Sequence, residues 1–332
     1  MKNMQVLGLF VGILISNAAT SATIFEGEQG ETLDFIGKFE TGGYFGRKYN
    51  DVGGEWTYGS GYVDDSFMSF SMTGKTGQVY TRLEFDVERQ NWTADNEFQY
   101  VIDKAYAGWD FGNGHKIEVG RTDTAYDRYD SFGDFSVYGD SGTADVEEAG
   151  DQDSTIKYEG EFKGIRMGIS HSEEGWDENE TDSREDRVVN GYIGYFTDSY
   201  TVLFGAEEVD NRGTIYSVHG EAHIGDFALG GFYSASDREE REAYNTLDSE
   251  LQLISAKYNL TSKWMVALTY SVLDVEFETI ETTESGFRVW VDDEWTEIST
   301  EYTYRPNVTF KMQLANGGES GSYGYGKVEY LF

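Results

Sequence analysis

The last twelve residues of the chain, GSYGYGKVEYLF, alternate in polarity up to the final position. Apolar or aromatic residues occupy every second place there, as Val328, Tyr330 and Phe332. Successive side chains of a β-strand point to opposite faces, so these three share one face. The pattern therefore predicts a strand with an apolar face that ends on an aromatic residue.

The first 22 residues predict a cleavable export signal. Lys2 precedes an apolar run over 6–15 (VLGLFVGILI), and small and polar residues then lead to Ala22. These three parts, in this order, are typical of a secretory signal peptide, with cleavage expected after Ala22. The apolar run is too short to cross about 30 Å of hydrocarbon as a helix. We therefore expect an exported protein.

No later segment has the apolar length of a membrane-spanning helix. The most apolar internal stretch, 264–273, includes Thr269 and Ser271 and runs into acidic sequence. In a membrane, the mature chain could satisfy its backbone hydrogen bonds only as a closed barrel. No linker or break in composition divides the chain, so 23–332 is predicted to be one domain.

Composition favours strands with a wet interior. The chain has 40 Gly, 24 Tyr and 21 Phe against one Pro and no Cys, and only 39% of its residues are hydrophobic. Such usage suits turns and pleated strands. A barrel with a water-filled lumen needs only one apolar face per strand, which accounts for the low hydrophobic fraction. The net charge of the chain is −36. Soluble halophilic proteins also carry a large negative charge, but they would not need the terminal Phe332.

Sixteen strand-like segments predict an all-β fold, a transmembrane antiparallel β-barrel. Their connections alternate between short turns, expected to be periplasmic, and long polar loops such as 174–186, expected to be extracellular. The predicted strands are 33–45, 66–76, 78–90, 96–109, 115–122, 154–162, 164–173, 187–197, 199–210, 213–224, 226–236, 249–260, 263–277, 293–304, 307–315 and 321–332.

The segment 78–90 shows how the two faces should differ. Its apolar side chains fall on the odd-numbered positions and its charged side chains on the even-numbered positions between 81 and 88. A charged residue facing lipid at mid-bilayer costs about 2–4 kcal/mol, so the charged face must meet water. The lumen is therefore predicted to be polar and open. The two sets are Thr81, Leu83, Phe85 and Val87 for lipid, and Arg82, Glu84, Asp86 and Glu88 for water.

Several motifs resemble the general diffusion porins of gammaproteobacteria, most densely between 33 and 140. The matching segments are FIGK at 35–38, RLEF at 82–85, AYAG at 105–108 and VGR at 119–121, followed by Tyr126-Asp127, FGDF at 132–135 and Tyr138-Gly139-Asp140 in the position of the family's third loop.

The resemblance implies a function, a location and partners. Members are homotrimers of sixteen-stranded barrels in the outer membrane of Gram-negative bacteria, surrounded by outer-membrane lipid, and their third loop folds inward to constrict the pore. The terminal aromatic, here Phe332, belongs to the signal read by the barrel-assembly machinery. A water-filled channel for passive diffusion of ions and small hydrophilic solutes is implied, with no enzymatic activity, cofactor or nucleic-acid partner.

Function should concentrate in the third loop. From 122 to 154 the chain has ten acidic residues and Arg128 as its single base. Such a run is often a solvated loop. Inside a narrow lumen, however, the same charges would attract cations and exclude anions.

The family's constriction residues are partly retained. Lys38, Arg121 and the loop acid Asp134 match, whereas the family's fourth-strand Arg falls at Asp103, beside Lys104. Arg82 is the one basic replacement found. The basic half of the constriction is therefore thinned, and the hypothesis is a cation-preferring pore. The expected lumen residues are Lys38, Arg82, Glu84, Asp103, Arg121, Asp127, Asp130, Asp134 and Asp140.

Three alternative functions remain open at this point. A sugar-specific porin would stack sugars on loop aromatics, here Tyr126, Tyr129, Phe132, Phe135 and Tyr138. Their spacing of about three equally predicts a helical turn packed on the wall. An acidic adhesin without a pore is the second alternative. A barrel hydrolase is the third, although the four His carry no nucleophile motif.

No metal site is predicted. His219, Glu221 and His223 share one strand face, but they are spaced by about 6.8 Å. Zinc bound at about 2.0–2.1 Å from nitrogen needs tighter convergence. Calcium binding by the acidic stretches near 177–186 and 237–242 is left open, because no ligand loop of known spacing is present.

Overall fold

The computed structural model describes residues 21–48, 62–89, 98–138, 150–173, 187–210, 213–238, 248–276, 293–317 and 321–332. The signal-peptide prediction lies outside these ranges except for Ser21 and Ala22, and the expected extracellular loop 174–186 also lies outside them. Within the described residues, no helix is long and apolar enough to cross a membrane.

The described residues form eighteen strands. Their bounds are β1 Ala22–Glu26, β2 Thr32–Lys48, β3 Tyr62–Asp64, β4 Phe67–Thr76, β5 Val79–Arg89, β6 Phe98–Gly112, β7 His115–Asp123, β8 Asp151–Phe162, β9 Ile165–Ser172, β10 Val188–Phe196, β11 Tyr200–Val209, β12 Gly213–Ile224, β13 Phe227–Arg238, β14 Asp248–Thr261, β15 Trp264–Glu276, β16 Asp293–Arg305, β17 Val308–Gly317 and β18 Gly321–Leu331.

Sixteen of these strands close into an antiparallel barrel. β2 pairs with β4, and each of β4–β17 pairs with the next strand in the chain. β18 then pairs back onto β2 from Gly321↔Lys48 to Leu331↔Lys38. The short strands β1 and β3 both pair with β2. The predicted fold class is therefore confirmed. The short strand β1 was not predicted from the sequence.

The two faces of the barrel differ in polarity, as alternation predicts. On β17, Met312 and Leu314 are 54% and 58% exposed, whereas Gln313 between them is 1% exposed. Exposed apolar side chains of this kind recur on strand after strand and form the outer face. The terminal Phe332 lies on that face, with its ring 5.7 Å from Tyr330 and 6.3 Å from Phe70.

One bulge interrupts the alternation where it matters for the lumen. Glu84 of β5 pairs with Lys104 of β6, but Phe85 pairs with Ile102, so Asp103 is an extra residue in the ladder. Ile102 is exposed on the outer face. The carboxylate of Asp103 and the ammonium of Lys104 are 3.0 Å apart. The bulge therefore turns two consecutive charged side chains toward the same side, which a regular strand cannot do.

Candidate constriction site

The chain between β7 and β8 contacts the barrel wall opposite the exposed apolar face. We call its described part, residues 124–138, the inner segment. The backbone N–H of Ala125 donates to Ser170 Oγ of β9 at 2.9 Å. Ten residues on, the N–H of Phe135 donates to Ser255 Oγ of β14 at 3.1 Å. The inner segment thus follows the wall from β9 to β14 and beyond.

Aromatic side chains fasten the first half of the inner segment. A 3₁₀ turn covers Asp127–Tyr129, and a further i→i+3 bond joins Phe132 N to Tyr129 O at 3.1 Å. Because this geometry has three residues per turn, every third side chain shares one side. Tyr126, Tyr129 and Phe132 are accordingly 0%, 6% and 6% exposed, in one cluster with Tyr192 and Leu203. The spacing of three thus corresponds to wall packing, which leaves little of these rings for a sugar to contact.

His219 of β12 joins two points of the inner segment. Its Nδ1 lies 2.9 Å from Phe132 O, and its Nε2 lies 2.9 Å from the Tyr126 hydroxyl. A carbonyl oxygen only accepts, so Nδ1 carries a proton. Both ring nitrogens of His219 therefore have hydrogen-bond partners. A metal ion at this side chain would have to displace one of those bonds.

The far end of the inner segment is held by Gln313 of β17. Its Oε1 accepts from Val137 N at 3.2 Å and from Tyr138 N at 3.0 Å, and its Nε2 donates to Tyr138 O at 3.1 Å. The Tyr138 ring stacks on Tyr325 of β18, with centroids 4.4 Å apart, and meets Tyr44 of β2 edge-on at 4.8 Å.

The wall formed by β5–β7 carries bases that are paired with acids. Arg82 Nε donates to Glu84 Oε2 at 2.9 Å. Lys104 lies 3.0 Å from the Asp103 carboxylate and 2.7 Å from that of Asp123. Each of these positive charges is therefore neutralised locally.

A second group of ion pairs joins β7 and β8 to the inner segment. Lys116 lies 3.2 Å from Glu118 and 2.5 Å from Glu159. Lys157 lies 2.8 Å from Glu118, and Arg128 of the inner segment reaches Glu159 at 2.9 Å. Family motifs did not point to Lys104, Lys116 or Lys157. The alternation of side chains along β7 could have predicted that Lys116 faces the lumen. The bulge at Asp103 prevented the same prediction for Lys104.

The other expected lumen residues occupy different places along the wall. Lys38 of β2 lies 3.6 Å from Glu40 and over the Phe67 ring at 4.4 Å. Asp134 of the inner segment accepts from Ser136 N at 2.8 Å and from Thr269 Oγ1 of β15 at 3.0 Å, so one of its roles is to anchor the segment.

Arg121 and Asp140 also belong to the expected set. The Arg121 guanidinium joins strands, because Nη1 lies 3.1 Å from Asp153 Oδ1 and Nε donates to Asp103 O at 3.1 Å. Gly120, with φ of 132°, precedes it and breaks the alternation of β7. Asp140 lies outside the described residues. The structure thus places Arg82, Glu84, Asp103 and Arg121 on the adjacent strands β5–β7, and it places Asp134 apart from them, against β15.

Asp127 differs from the other acids of the site. Its carboxyl group makes no hydrogen bond or ion pair among the described residues. Burial raises its pKa to about 7, and the nearby charges of Asp123 and Asp130 add to the shift. Lys104 and Lys157 oppose it, but both ammonium groups make their close contacts with other acids.

Solved structures of bacterial outer-membrane proteins share this fold. OmpF of Salmonella typhi, solved in complex with daunomycin, matches with a TM-score of 0.72 at 14% identity, over 94% of this chain and 100% of that one. OmpT, an outer membrane protein of Vibrio cholerae, gives 0.69 at 14% identity, over 93% and 99%. The outer membrane channel DcaP of Acinetobacter baumannii gives 0.61 at 11% identity, over 94% and 100%.

The sequence itself decides the family. A search of curated proteins found no match. The family model described as Gram-negative porin, however, matches residues 8–322, nearly the whole length. Together with a closed barrel that has an apolar outer face, this match places the protein in the outer membrane as a channel. The chain belongs to the Gram-negative porin family.

Proposed function

We propose that the channel is a diffusion pore for ions and small hydrophilic solutes and that it prefers cations. The pairing of the wall bases carries this proposal. Arg82, Lys104 and Lys116 each lie within ion-pair distance of a carboxylate. A base neutralised in this way contributes little to a field that would attract anions. The acids of the inner segment add negative charge to a lumen with low-dielectric walls, where potential is concentrated.

The proposed constriction lies between the inner segment and the β2–β8 side of the barrel. The inner segment hydrogen-bonds to the wall at β9, β14 and β17, which leaves the opposite side for solutes. The proposed lining set is Lys38, Arg82, Glu84, Asp103 and Arg121 on the wall, with Asp127, Asp130, Asp134 and Asp140 along the connection between β7 and β8.

The zero-current potential of the reconstituted protein in a KCl gradient tests the preference. We expect the sign that reports faster passage of K⁺ than of Cl⁻. We also expect the preference to shrink as salt rises, because the reach of surface charge falls from about 10 Å at 0.1 M to about 3 Å at 1 M. A potential of the opposite sign would refute the proposal.

Liposome swelling separates a general pore from a sugar-specific one. We expect rates that fall steadily with solute size, because the rings of Tyr126, Tyr129 and Phe132 are packed against the wall. Saturable uptake of one sugar would favour the sugar-specific alternative. Absence of stepwise conductance would favour an adhesin, and turnover on a lipid or peptide panel would favour an enzyme.

We further propose a homotrimer whose assembly is directed through Phe332. The family supports this, and one of the matched structures, OmpT of Vibrio cholerae, is described in a trimer form. Native mass spectrometry of the detergent-extracted protein should give three times the mass of one chain. A monomer under the same conditions would contradict the assembly state.

A further inference from the structure

A single buried amide contacts the last two described residues of the inner segment. Gln313 is 1% exposed. Its carbonyl oxygen accepts from the backbone N–H groups of Val137 and Tyr138 at 3.2 Å and 3.0 Å, while its amino group donates to Tyr138 O at 3.1 Å. The side chain therefore offers both an acceptor and a donor to the backbone, as an adjacent strand would.

The neighbours of Gln313 fix which way its amide points. Ser299 Oγ donates to Oε1 at 2.8 Å, and Nε2 donates to Glu297 Oε1 at 3.0 Å. A carboxylate can accept but not donate, so Glu297 requires the amino group on its own side. With the amide oriented by β16, its oxygen must face the N–H groups of the inner segment.

Two other wall contacts of the inner segment are chemically simpler. Ser170 and Ser255 each accept one backbone N–H through a hydroxyl, and a hydroxyl can turn to suit a shifted partner. Gln313 holds both an N–H and the carbonyl of Tyr138 through one planar group. Displacing the backbone there would break three hydrogen bonds to this one side chain, and a typical hydrogen bond contributes about 0.5–1.5 kcal/mol net.

We propose that Gln313 is a positioning residue that sets the width of the pore by holding the far end of the inner segment against β17. This inference rests on the proposed diffusion pore. Gln313 acts through Val137 and Tyr138, and the ring of Tyr138, stacked on Tyr325, moves with them.

The substitution Gln313→Glu gives a test that is specific to hydrogen bonding. The ionised carboxylate keeps the shape but cannot donate to Tyr138 O, and it brings a second negative charge beside Glu297. The protonated carboxyl regains one donor. We expect the variant to show lower single-channel conductance and to exclude larger sugars at neutral pH and above, because the released segment moves into the lumen. It should return toward unaltered behaviour on acidification, as the introduced carboxyl takes up a proton beside Glu297.

Two further variants complete the experiment. Gln313→Leu lacks donor and acceptor, so its conductance should be lowered at every pH. Gln78→Glu makes the same chemical change at an exposed position in the turn between β4 and β5, and it should leave conductance unchanged. If Gln313→Glu does not refold at neutral pH, it can be refolded in acid, inserted in a bilayer and then brought to neutral pH.

The outcomes distinguish this inference from the function on which it rests. An unaltered protein without conductance would refute the diffusion pore itself. A conducting unaltered protein, with both Gln313 variants folded and equal to it in conductance and size limit, would overturn the role of Gln313. A fall in conductance that does not reverse with pH in Gln313→Glu would also overturn it, because a general loss of packing has no reason to respond to protonation.

Discussion

The buried carboxyl group of Asp127 shows how one residue makes the site sensitive to pH. Burial favours its neutral form and raises its pKa to about 7, with Asp123 and Asp130 acting in the same direction. The group therefore ionises as pH rises through about 7. The stability that this carboxyl group contributes to the packing of the inner segment is fully present below about pH 3.9, its pKa in the unfolded chain. That stability is lost as pH rises through about 7, its pKa in the folded protein.

The selectivity of the unaltered pore should accordingly change near neutrality. We expect the preference for K⁺ to increase between about pH 6 and about pH 8, because one negative charge appears in the lumen. Asp127→Asn should abolish this step. Asp198→Asn, in the exposed turn between β10 and β11, should preserve it. Reversal potentials that stay constant over this pH range in the unaltered protein would contradict the prediction.

Among the elements, the inner segment and the strands beneath it fit together through glycines. A Cβ at Gly205 of β11 would overlap the ring of Tyr126, and a Cβ at Gly230 of β13 would overlap the carbonyl oxygen of Gly133. Gly133 itself has φ of 98°, which a residue with a side chain rarely adopts. At these two points of contact the wall thus has a glycine, which leaves room for the inner segment.

Adding a side chain at one of these crossings should lift the segment. In Gly205→Val the Tyr126 ring must move, and overpacking of this kind costs about 1–3 kcal/mol. We expect lower single-channel conductance from a barrel that still folds, because a segment lifted off the wall moves into the lumen. Gly220→Val is the matched control, since a Cβ there has only Thr201 O, at 3.9 Å, within contact range. Equal conductance of Gly205→Val and the unaltered protein would show that displacing the ring does not lift the inner segment.

For the whole molecule, closure depends on the seam between β18 and β2. The ladder between them extends to the last residue, where Gly37 N donates to Phe332 O at 2.7 Å and Phe332 N donates to Gly37 O at 2.9 Å. A Cβ at Gly37 would overlap the Phe332 ring. Because the sixteen described barrel strands form a complete ring, this part of the sheet presents no unpaired edge to the bilayer, where unpaired backbone groups are costly.

Blocking the place of the terminal ring should impair closure. Gly37→Val is expected to lower the fraction of protein that refolds in detergent, measured as the compact form in electrophoresis of unheated samples. Gly326→Val, in the same seam but with nothing within contact range of its Cβ, should refold like the unaltered chain. Equal yields for both variants would show that the position of Phe332 does not limit closure.

The strands and their faces could be read from the sequence because both depend on local patterns. A polarity period of two predicted each barrel strand, and the exposed Leu83 between Arg82 and Glu84 follows the same rule. Turn residues and an even strand number then left a closed antiparallel barrel as the solution for a chain without an apolar helix after Ala22.

The composition of the site depended on contacts between residues far apart in the chain. Gln313 and Tyr138 are separated by 175 positions, and no local pattern marks a buried amide as the partner of a distant backbone. The bulge at Asp103 turned Lys104 inward against strand parity. The sequence by itself therefore determined the barrel, its membrane-facing side and its acidic charge. Only the tertiary structure decided which charges are paired and what holds the inner segment, because burial and hydrogen-bond partners arise when distant strands meet.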